Sequence, residues 1–451
     1  MDRKKGENNT YRIMDNKDKI KELEKEILKL RKENQRLKKI EEEYEEHKHE
    51  CSILDKKLPY FIKEEIKKRH KTSGQKIGHK GYSRKIPERI NFIKKVILDK
   101  CPECQGKDIS KVQEVRERFV EDIPEPTETI ITKYEIERKY CRNCKKIVEK
   151  DVEDALPNSR YGLRVMLLVS FMKIGLALPS QKIIQMLQAQ YGLIISDGEI
   201  YKMLEQVAQA FGLHYKKLQQ KIREAAVKHS DETGWRINGK SHWLWLFINS
   251  EAAIYIINKK RSSNVPVNFF RDQKNKTIIN DRYMAYNVLA KKSGCSLQLC
   301  WAHLLRNTKD LAEHYEEAEY IHKRFKTIFK EADKYEHYAN KKQVNDLFHK
   351  IDLIAEKRYK HSEVRKFVKS VCKFHRENLF RFVTNLEIEA TNNRAERGIR
   401  KAVIIRKISN GNRSKKGVDI LGVLLSVIET LKIQGKNPLN EMRKIIQTSE
   451  S

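Results

Sequence analysis

A small apolar run, Ala225–Val227, and two runs rich in β-branched and aromatic residues follow one another up to Asn258. The first leads into KHSDETGW, residues Lys228–Trp235; the second is HWLWLFI and the third AAIYIIN. Asn238-Gly239 lies between the first two. That pair favours a two-residue hairpin, because both positions tolerate positive φ. The spacing therefore predicts three successive strands. Asp231 falls at the end of the first. A carboxylate buried there is costly unless it is paired or binds a metal. An Asp that merely caps a loop at a strand end fits the same letters.

The elements that follow give Asp231 company. SSNVPVNFF reads as a helix, and KTIIN as a fourth strand running into Asp281. CSLQLCWAH reads as a fifth strand ending at His303. A charged helical stretch from Leu311 to Phe382 has apolar faces such as Ile321, Phe325, Ile328 and Phe329. TNNRAERGIR, residues Thr391–Arg400, then starts a helix that carries Glu396. Three strands, helix, strand, helix, strand and a late acidic helix is the order of an RNase-H-like α/β core split by a helical insertion. In that layout the ends of the first and fourth strands are neighbours, and the last helix points a carboxylate at the same spot. Asp231, Asp281 and Glu396 would then supply oxygen ligands for two Mg²⁺ or Mn²⁺ ions. Two such ions, ~4 Å apart, stabilise the attacking and leaving oxygens of an in-line displacement.

Other residues near this trio carry two readings each. Glu232 points the opposite way in an extended strand, so it is expected to be structural. His303 could orient a water or touch a phosphate, or be a satisfied core histidine. Asn392 and Asn393 suit helix capping or a phosphate contact. Glu387 and Glu389 are the nearest upstream substitutes for Glu396 as third ligand. The four tryptophans, Trp235, Trp243, Trp245 and Trp301, are expected in the core rather than against bases.

Length and charge set the frame. A chain of 451 residues exceeds one ordinary core, and two to four domains are expected. The 94 Lys and Arg against 62 Asp and Glu give a net charge of +32, which favours a polyanion such as nucleic acid as partner. Lys67–Lys85 and Arg397–Gly417 each hold eight Lys or Arg and no acid. Phosphate contacts are expected from Lys76, Lys80 and Arg84 in the first cluster, and from Arg397, Arg400, Arg406, Lys407 and Arg413 in the second. The opening MDRKKGENN lacks an apolar leader, and no apolar run reaches membrane-spanning length. A cytoplasmic protein with no membrane partner is the expectation.

The N-terminal half divides by composition. Over residues 1–50, Ile20, Leu23, Ile27, Leu30, Asn34 and Leu37 follow a heptad seam. Lys19, Glu26 and Glu33 at g face Glu24, Arg31 and Lys38 at e, with opposite signs in every pair, and Asn34 occupies an a position. This predicts a parallel coiled-coil dimer, or a higher oligomer built on it; a solvated surface helix shares the composition. Residues 51–90 read as a basic linker arm, which either tracks phosphates or only keeps the chain soluble. Residues 91–155 hold Cys101-Pro-Glu-Cys104 and Cys141-Arg-Asn-Cys144, and Arg118–Val120 and Thr129–Tyr140 read as strands between them. Four thiolates suit a tetrahedral structural Zn²⁺ in a zinc-ribbon-like module. Residues 156–224 are helical with a helix-turn-helix outline, closed by Gly192 and restarted by a Ser196–Glu199 capping box. A plain helical hairpin fits that outline too, and few basic residues lie near Asp197. The core then runs through 225–310, is interrupted by helices over 311–385, and resumes over 386–451. The whole is a multidomain α+β chain.

HSDETGW, DRYMAY, QLCWAHLLR and TNNRAERGIRKAVIIRKISNGNRS resemble the signature blocks of bacterial insertion sequence 66 family transposases. The GQKIGHKG arm, the paired CxxC module and the N-terminal zipper match the same layout, so the resemblance covers nearly the whole chain. The second knuckle, CRNCKK, departs from it in lacking a turn glycine. The resemblance implies a DDE transposase with Asp231, Asp281 and Glu396 as its acidic triad. Its partners would be transposon-end and target DNA in a bacterial nucleoid, with proteins encoded by the same element as helpers. A structure-specific nuclease of the same core, and a non-enzymatic zinc-containing DNA-binding regulator, remain alternatives at this level.

Overall fold

The computed structural model describes Ile27, Leu30, residues 33–35, residues 88–125 and residues 128–449. It divides into two units, 1–122 and 123–451, and the boundary falls between the two CxxC pairs. Most of the expected zipper and residues 51–87 of the arm, with Lys76, Lys80 and Arg84, lie outside the described residues. The zipper residues that are described, including Asn34, are helical and exposed.

In the first unit, Cys101–Gly106 forms a tight turn: Cys101 N donates to Gly106 O at 2.9 Å, and Gln105 N to Cys101 O at 2.9 Å. Arg118–Val120 forms no strand among the described residues, against expectation. An extended run becomes a strand only where a neighbour completes its ladder. In the second unit the strand expected over Thr129–Tyr140 shortens for the same reason to β1, Arg138–Cys141, paired antiparallel with β2, Lys146–Glu149. Cys141 ends β1, and Cys144 N lies 3.5 Å from its Sγ.

Helices α1 (Leu163–Ser170), α2 (Ser180–Tyr191), α3 (Asp197–Ala210) and α4 (Gly212–Glu224) follow. Gly192 closes α2 at φ 63°, and the Ser196–Glu199 capping box opens α3 as expected. A five-stranded mixed sheet comes next: β3 (Val227–Ile237), β4 (Lys240–Ile248), β5 (Ala253–Asn258), β6 (Thr277–Asn280) and β7 (Ser296–Leu299). Its order is β5-β4-β3-β6-β7. β3 is central, antiparallel to β4 and parallel to β6. The β3–β4 hairpin turns through Asn238 and Gly239 at φ 47° and 73°, the positive values their residue types allow. Short helices α5 (Asn264–Phe270) and α6 (Met284–Ser293) connect the parallel strands.

The fifth strand is shorter than its sequence suggests. β7 stops at Leu299, level with the end of β6 at Asn280. Trp301 begins α7 (Trp301–His314), and its indole is buried and donates to Leu379 O at 2.6 Å. His303 therefore rides on the first turn of a helix and not on a strand. Three further helices, α8 (Glu316–Asp333), α9 (Lys341–Glu356) and α10 (Ser362–Val368), form the insertion. They bury Phe325, Ile351 and Val364 in a cluster with Leu299 and Trp301. The chain returns through α11 (Asn393–Ser409), α12 (Lys415–Ile433) and α13 (Pro438–Ser449).

The other core is continuous from α1 to α13. Met166, Ile200 and Val207 share it with Trp245 and Phe247 of β4 and with Leu424 of α12. All four tryptophans are buried or partly buried, and Trp235, Trp245 and Trp301 are core residues as expected. α12 also closes the sheet edge. Its Ser426 and Thr430 hydroxyls accept from Tyr255 N at 2.9 Å and Ala253 N at 3.0 Å, so β5 does not offer those donors to another strand.

Candidate active site

The two faces of β3 separate two jobs. Side chains alternate along a strand, so Ser230 and Glu232 face one side while His229, Asp231 and Thr233 face the other. On the first side, Tyr286 of α6 donates to Glu232 Oε2 at 3.0 Å, and its oxygen lies 2.8 Å from Ser230 Oγ. Tyr286 has one proton; given to Glu232, it leaves Ser230 to donate to Tyr286. Arg261 reaches the same carboxylate from Nε at 3.0 Å and Nη2 at 2.7 Å. The Glu232 side chain is fully buried. Its charge is thus answered by a fork of donors, and Glu232 is the structural residue expected. Burial, then the nearby Asp281, still holds its carboxyl above the ordinary range.

Asp231 stands on the opposite face. The parallel ladder pairs His229 with Ile279, an offset of 279 − 229 = 50. Carried on two residues, that register sets Asp231 beside Asp281, just past the end of β6. β3 itself continues to Ile237. Asp231 is therefore not at the strand's end, as expected, but where the strand loses its parallel neighbour. Burial pushes the Asp231 carboxyl well up, and Asp281, Glu232 and Glu396 each add repulsion. Carboxylates from β3, from the turn after β6 and from α11 thus converge on one neighbourhood. The turn after β6 is strained at Arg282, with φ 79°. Asp281 Oδ1 accepts from Tyr283 N at 3.1 Å within it.

Glu396 lies in the first turn of α11. Its placement depends on Asn392, which is fully buried. Asn392 Nδ2 donates to Ser230 O at 2.9 Å, and Oδ1 lies 3.1 Å from His229 Nδ1. Since Oδ1 only accepts, the His229 proton sits on Nδ1. Burial pushes His229 down to about 4, so the ring is neutral at pH 7. Asn392 makes no side-chain cap to α11, so the expected capping role is replaced by a tie between helix and strand. Further along, Tyr255 Oη donates to Gly398 O at 2.9 Å. A Cβ at Gly398 would come within 2.7 Å of Leu246 Cδ2, so glycine lets α11 lie close on the sheet.

His303 stands over Glu396, with Nδ1 3.4 Å from Oε1. Both atoms are shut off from water without a hydrogen-bond partner. Cys300, at the N-cap of α7, accepts from Asn392 N on Sγ at 3.1 Å. Sequence reasoning missed Cys300, although the Cys-x-x-His spacing to His303 was a usable signal. It also missed Arg261 and Tyr286, for which no local pattern exists.

The remaining expected residues separate. Asn393 opens α11 and is exposed, as are Arg397, Arg400, Lys407 and Arg413. Arg406 turns inward and donates to Thr233 Oγ1 at 3.2 Å and to Gly234 O. Its guanidinium therefore braces β3. Of the upstream substitutes, Glu389 is paired with Arg394 at 2.6 Å and Glu387 is exposed.

The model of the Transposase IS66 family matches residues 158–420, more than half of the chain. The chain belongs to the IS66 transposase family. The matched region contains Asp231, Asp281, Glu396, Cys300 and His303, while both CxxC pairs lie outside it. A comparison with curated proteins yields no match. Membership in a transposase family implies a DNA-processing enzyme. No helix among the described residues is long and apolar enough to cross a membrane.

Proposed function

We propose that the chain cuts DNA at the ends of an insertion sequence and joins the freed 3′-OH to target DNA, by a DDE mechanism on an RNase-H-like core. The observation that carries this reading is geometric: the β3–β6 register sets Asp231 beside Asp281, and the Asn392–Ser230 tie brings the first turn of α11, with Glu396, against the same part of β3. Three carboxylates crowded in this way fit divalent cations, which relieve their mutual repulsion and take oxygen ligands. The strand order around a central β3 supports the core assignment.

Asp231, Asp281 and Glu396 would hold two Mg²⁺ or Mn²⁺ ions. When bound, such ions lower the pKa of a water or 3′-OH and stabilise charge on the phosphoryl oxygens. In the first step water attacks phosphorus and the P–O3′ bond breaks, leaving a 3′-OH. In the second, that 3′-OH attacks a target phosphodiester and displaces its 3′ oxygen. Asn392 holds the start of α11 against β3 and so orients Glu396. Arg397, Arg400, Lys407 and Arg413 would neutralise phosphates, together with Lys76, Lys80 and Arg84 of the arm.

Cys101, Cys104, Cys141 and Cys144 would hold a structural Zn²⁺. In each pair, backbone N–H groups led by that of the second cysteine lower the first thiol, the local chemistry a zinc knuckle uses. The heptad segment would join two chains, and proteins of the same element could assist.

The test uses labelled element ends and a plasmid target with Mg²⁺. Cleavage and joined product are expected from the full chain. Asp231→Asn, Asp281→Asn and Glu396→Gln should each abolish both while DNA binding persists, and the triple variant should be hardly worse than any single one. Cleavage without joining would instead mark a nuclease. DNA binding that ignores chelation, with no cleavage, would mark a regulator.

A further inference from the structure

We propose that Cys300, His303 and Glu396 form a binding site for a zinc-class divalent cation, separate in chemistry from the all-carboxylate positions. Among the described residues, one ligand atom from each of these three side chains lies within 4.8 Å of the others. The His303 Nδ1 to Glu396 Oε1 separation is 3.4 Å. A tetrahedral ion bonded at about 2.1 Å holds neighbouring N and O ligands roughly 3.4 Å apart. The pair is thus already spaced as the edge of a tetrahedron.

The second observation is that neither atom has a hydrogen-bond partner. His303 Nδ1 and Glu396 Oε1 face each other out of contact with water, and no hydrogen bond joins either to anything. Buried polar atoms are nearly always satisfied. A cation between the two supplies what both lack.

The third ligand is held in place by a hydrogen bond. Cys300 Sγ receives the Asn392 backbone N–H at 3.1 Å, an outer hydrogen bond of the kind that steadies a metal-bound thiolate. It also sits at the N-terminus of α7, the positive end of the helix dipole. As the sulfur–metal bond forms, the thiol proton passes to solvent. Sulfur, imidazole and one carboxylate select Zn²⁺ or Co²⁺ over Mg²⁺, which prefers oxygen alone.

Glu396 belongs to both sets. If the proposed function holds, an ion on Cys300 and His303 withdraws that carboxylate from Asp231 and Asp281. Zinc would then restrain the enzyme that magnesium activates.

The experiment titrates Co²⁺ into the full chain after its knuckles are loaded with Zn²⁺. The expected result is one equivalent of tetrahedral Co²⁺ with a thiolate charge-transfer band. Cys300→Ser should remove that band. His303→Ala should weaken Co²⁺ binding by more than the roughly tenfold to hundredfold that loss of an outer partner costs. Cys372→Ser, which alters a buried thiol of the insertion cluster, should leave the band in place. Thermal unfolding of each variant identifies any that fails to fold; His303→Ala keeps the test decisive if Cys300→Ser does. A band that persists in Cys300→Ser, or no Co²⁺ bound beyond the knuckles, overturns the proposal. Co²⁺ bound as expected by a chain that never cleaves DNA leaves this site standing and removes the transposition reading. Joining activity in a chain that binds no Co²⁺ does the reverse.

Discussion

Asn392 donates its side-chain amide to the carbonyl oxygen of Ser230 at 2.9 Å, across 162 positions of sequence. Ser230 immediately precedes Asp231, and Glu396 N donates to Asn392 O at 3.0 Å. One buried amide thus sets the distance between two of the three carboxylates. Asn392→Ala should lower stability by about 1–3 kcal/mol, because His229 and Ser230 lose their partners inside the core. Cleavage should fall even at temperatures where the variant is fully folded. Chemical denaturation and a cleavage assay on one sample check this; unchanged cleavage would show that Glu396 is held by other contacts.

Asp231 carries a penalty that a bound cation would remove. Its folded carboxyl lies well above the ordinary range because of burial and of Asp281, Glu232 and Glu396. Between the unfolded and folded values the unfolded state binds fewer protons, so this residue lowers stability as pH rises. Without metal, Asp231→Asn should be more stable than the parent at pH 7, and the difference should vanish toward pH 4. Mg²⁺ should stabilise the parent more than the variant. Denaturation curves across that pH range, with and without chelator, measure both effects. Equal pH slopes would count against the crowding.

Arg261 and Glu232 form an ion pair whose carboxylate is wholly buried. Arg261→Met should therefore cost on the order of 3 kcal/mol, since it strands a buried charge. Glu232→Gln in the same chain should recover part of that loss. A double-mutant cycle reads the coupling, and additive losses would mean that Tyr286 alone satisfies the carboxylate.

The basic residues of α11 should divide by role. Arg397→Ala and Arg400→Ala should each reduce the slope of log K against log salt by roughly 0.9 on duplex DNA, with little change in stability. Arg406→Ala should reduce stability by about 1–2 kcal/mol, through the lost bonds to Thr233 and Gly234, and leave the salt slope alone. Binding titrations at several salt concentrations separate the two groups.

What the sequence by itself determined was local. The Asn238-Gly239 turn, the capping box at Ser196 and the alternation that turns Glu232 away from Asp231 follow from residue type and a period of two or 3.6. The acidic trio was legible because strands and helices occur in an order with few foldings. Tertiary structure decided where each element stops and what each side chain meets. β7 ends at Leu299 because its partner β6 ends and the Trp301 indole turns into a core built by residues some eighty positions later. Arg406 resembles its exposed neighbours in sequence and is held by Thr233 and Gly234. Asn392 looks like a cap and serves as a tie to Ser230. Cys300 and His303 meet Glu396 only after the chain has passed through the whole helical insertion. Such contacts depend on which distant surfaces pack together, and burial, which sets their energy, is a property of the packed molecule rather than of any segment of it.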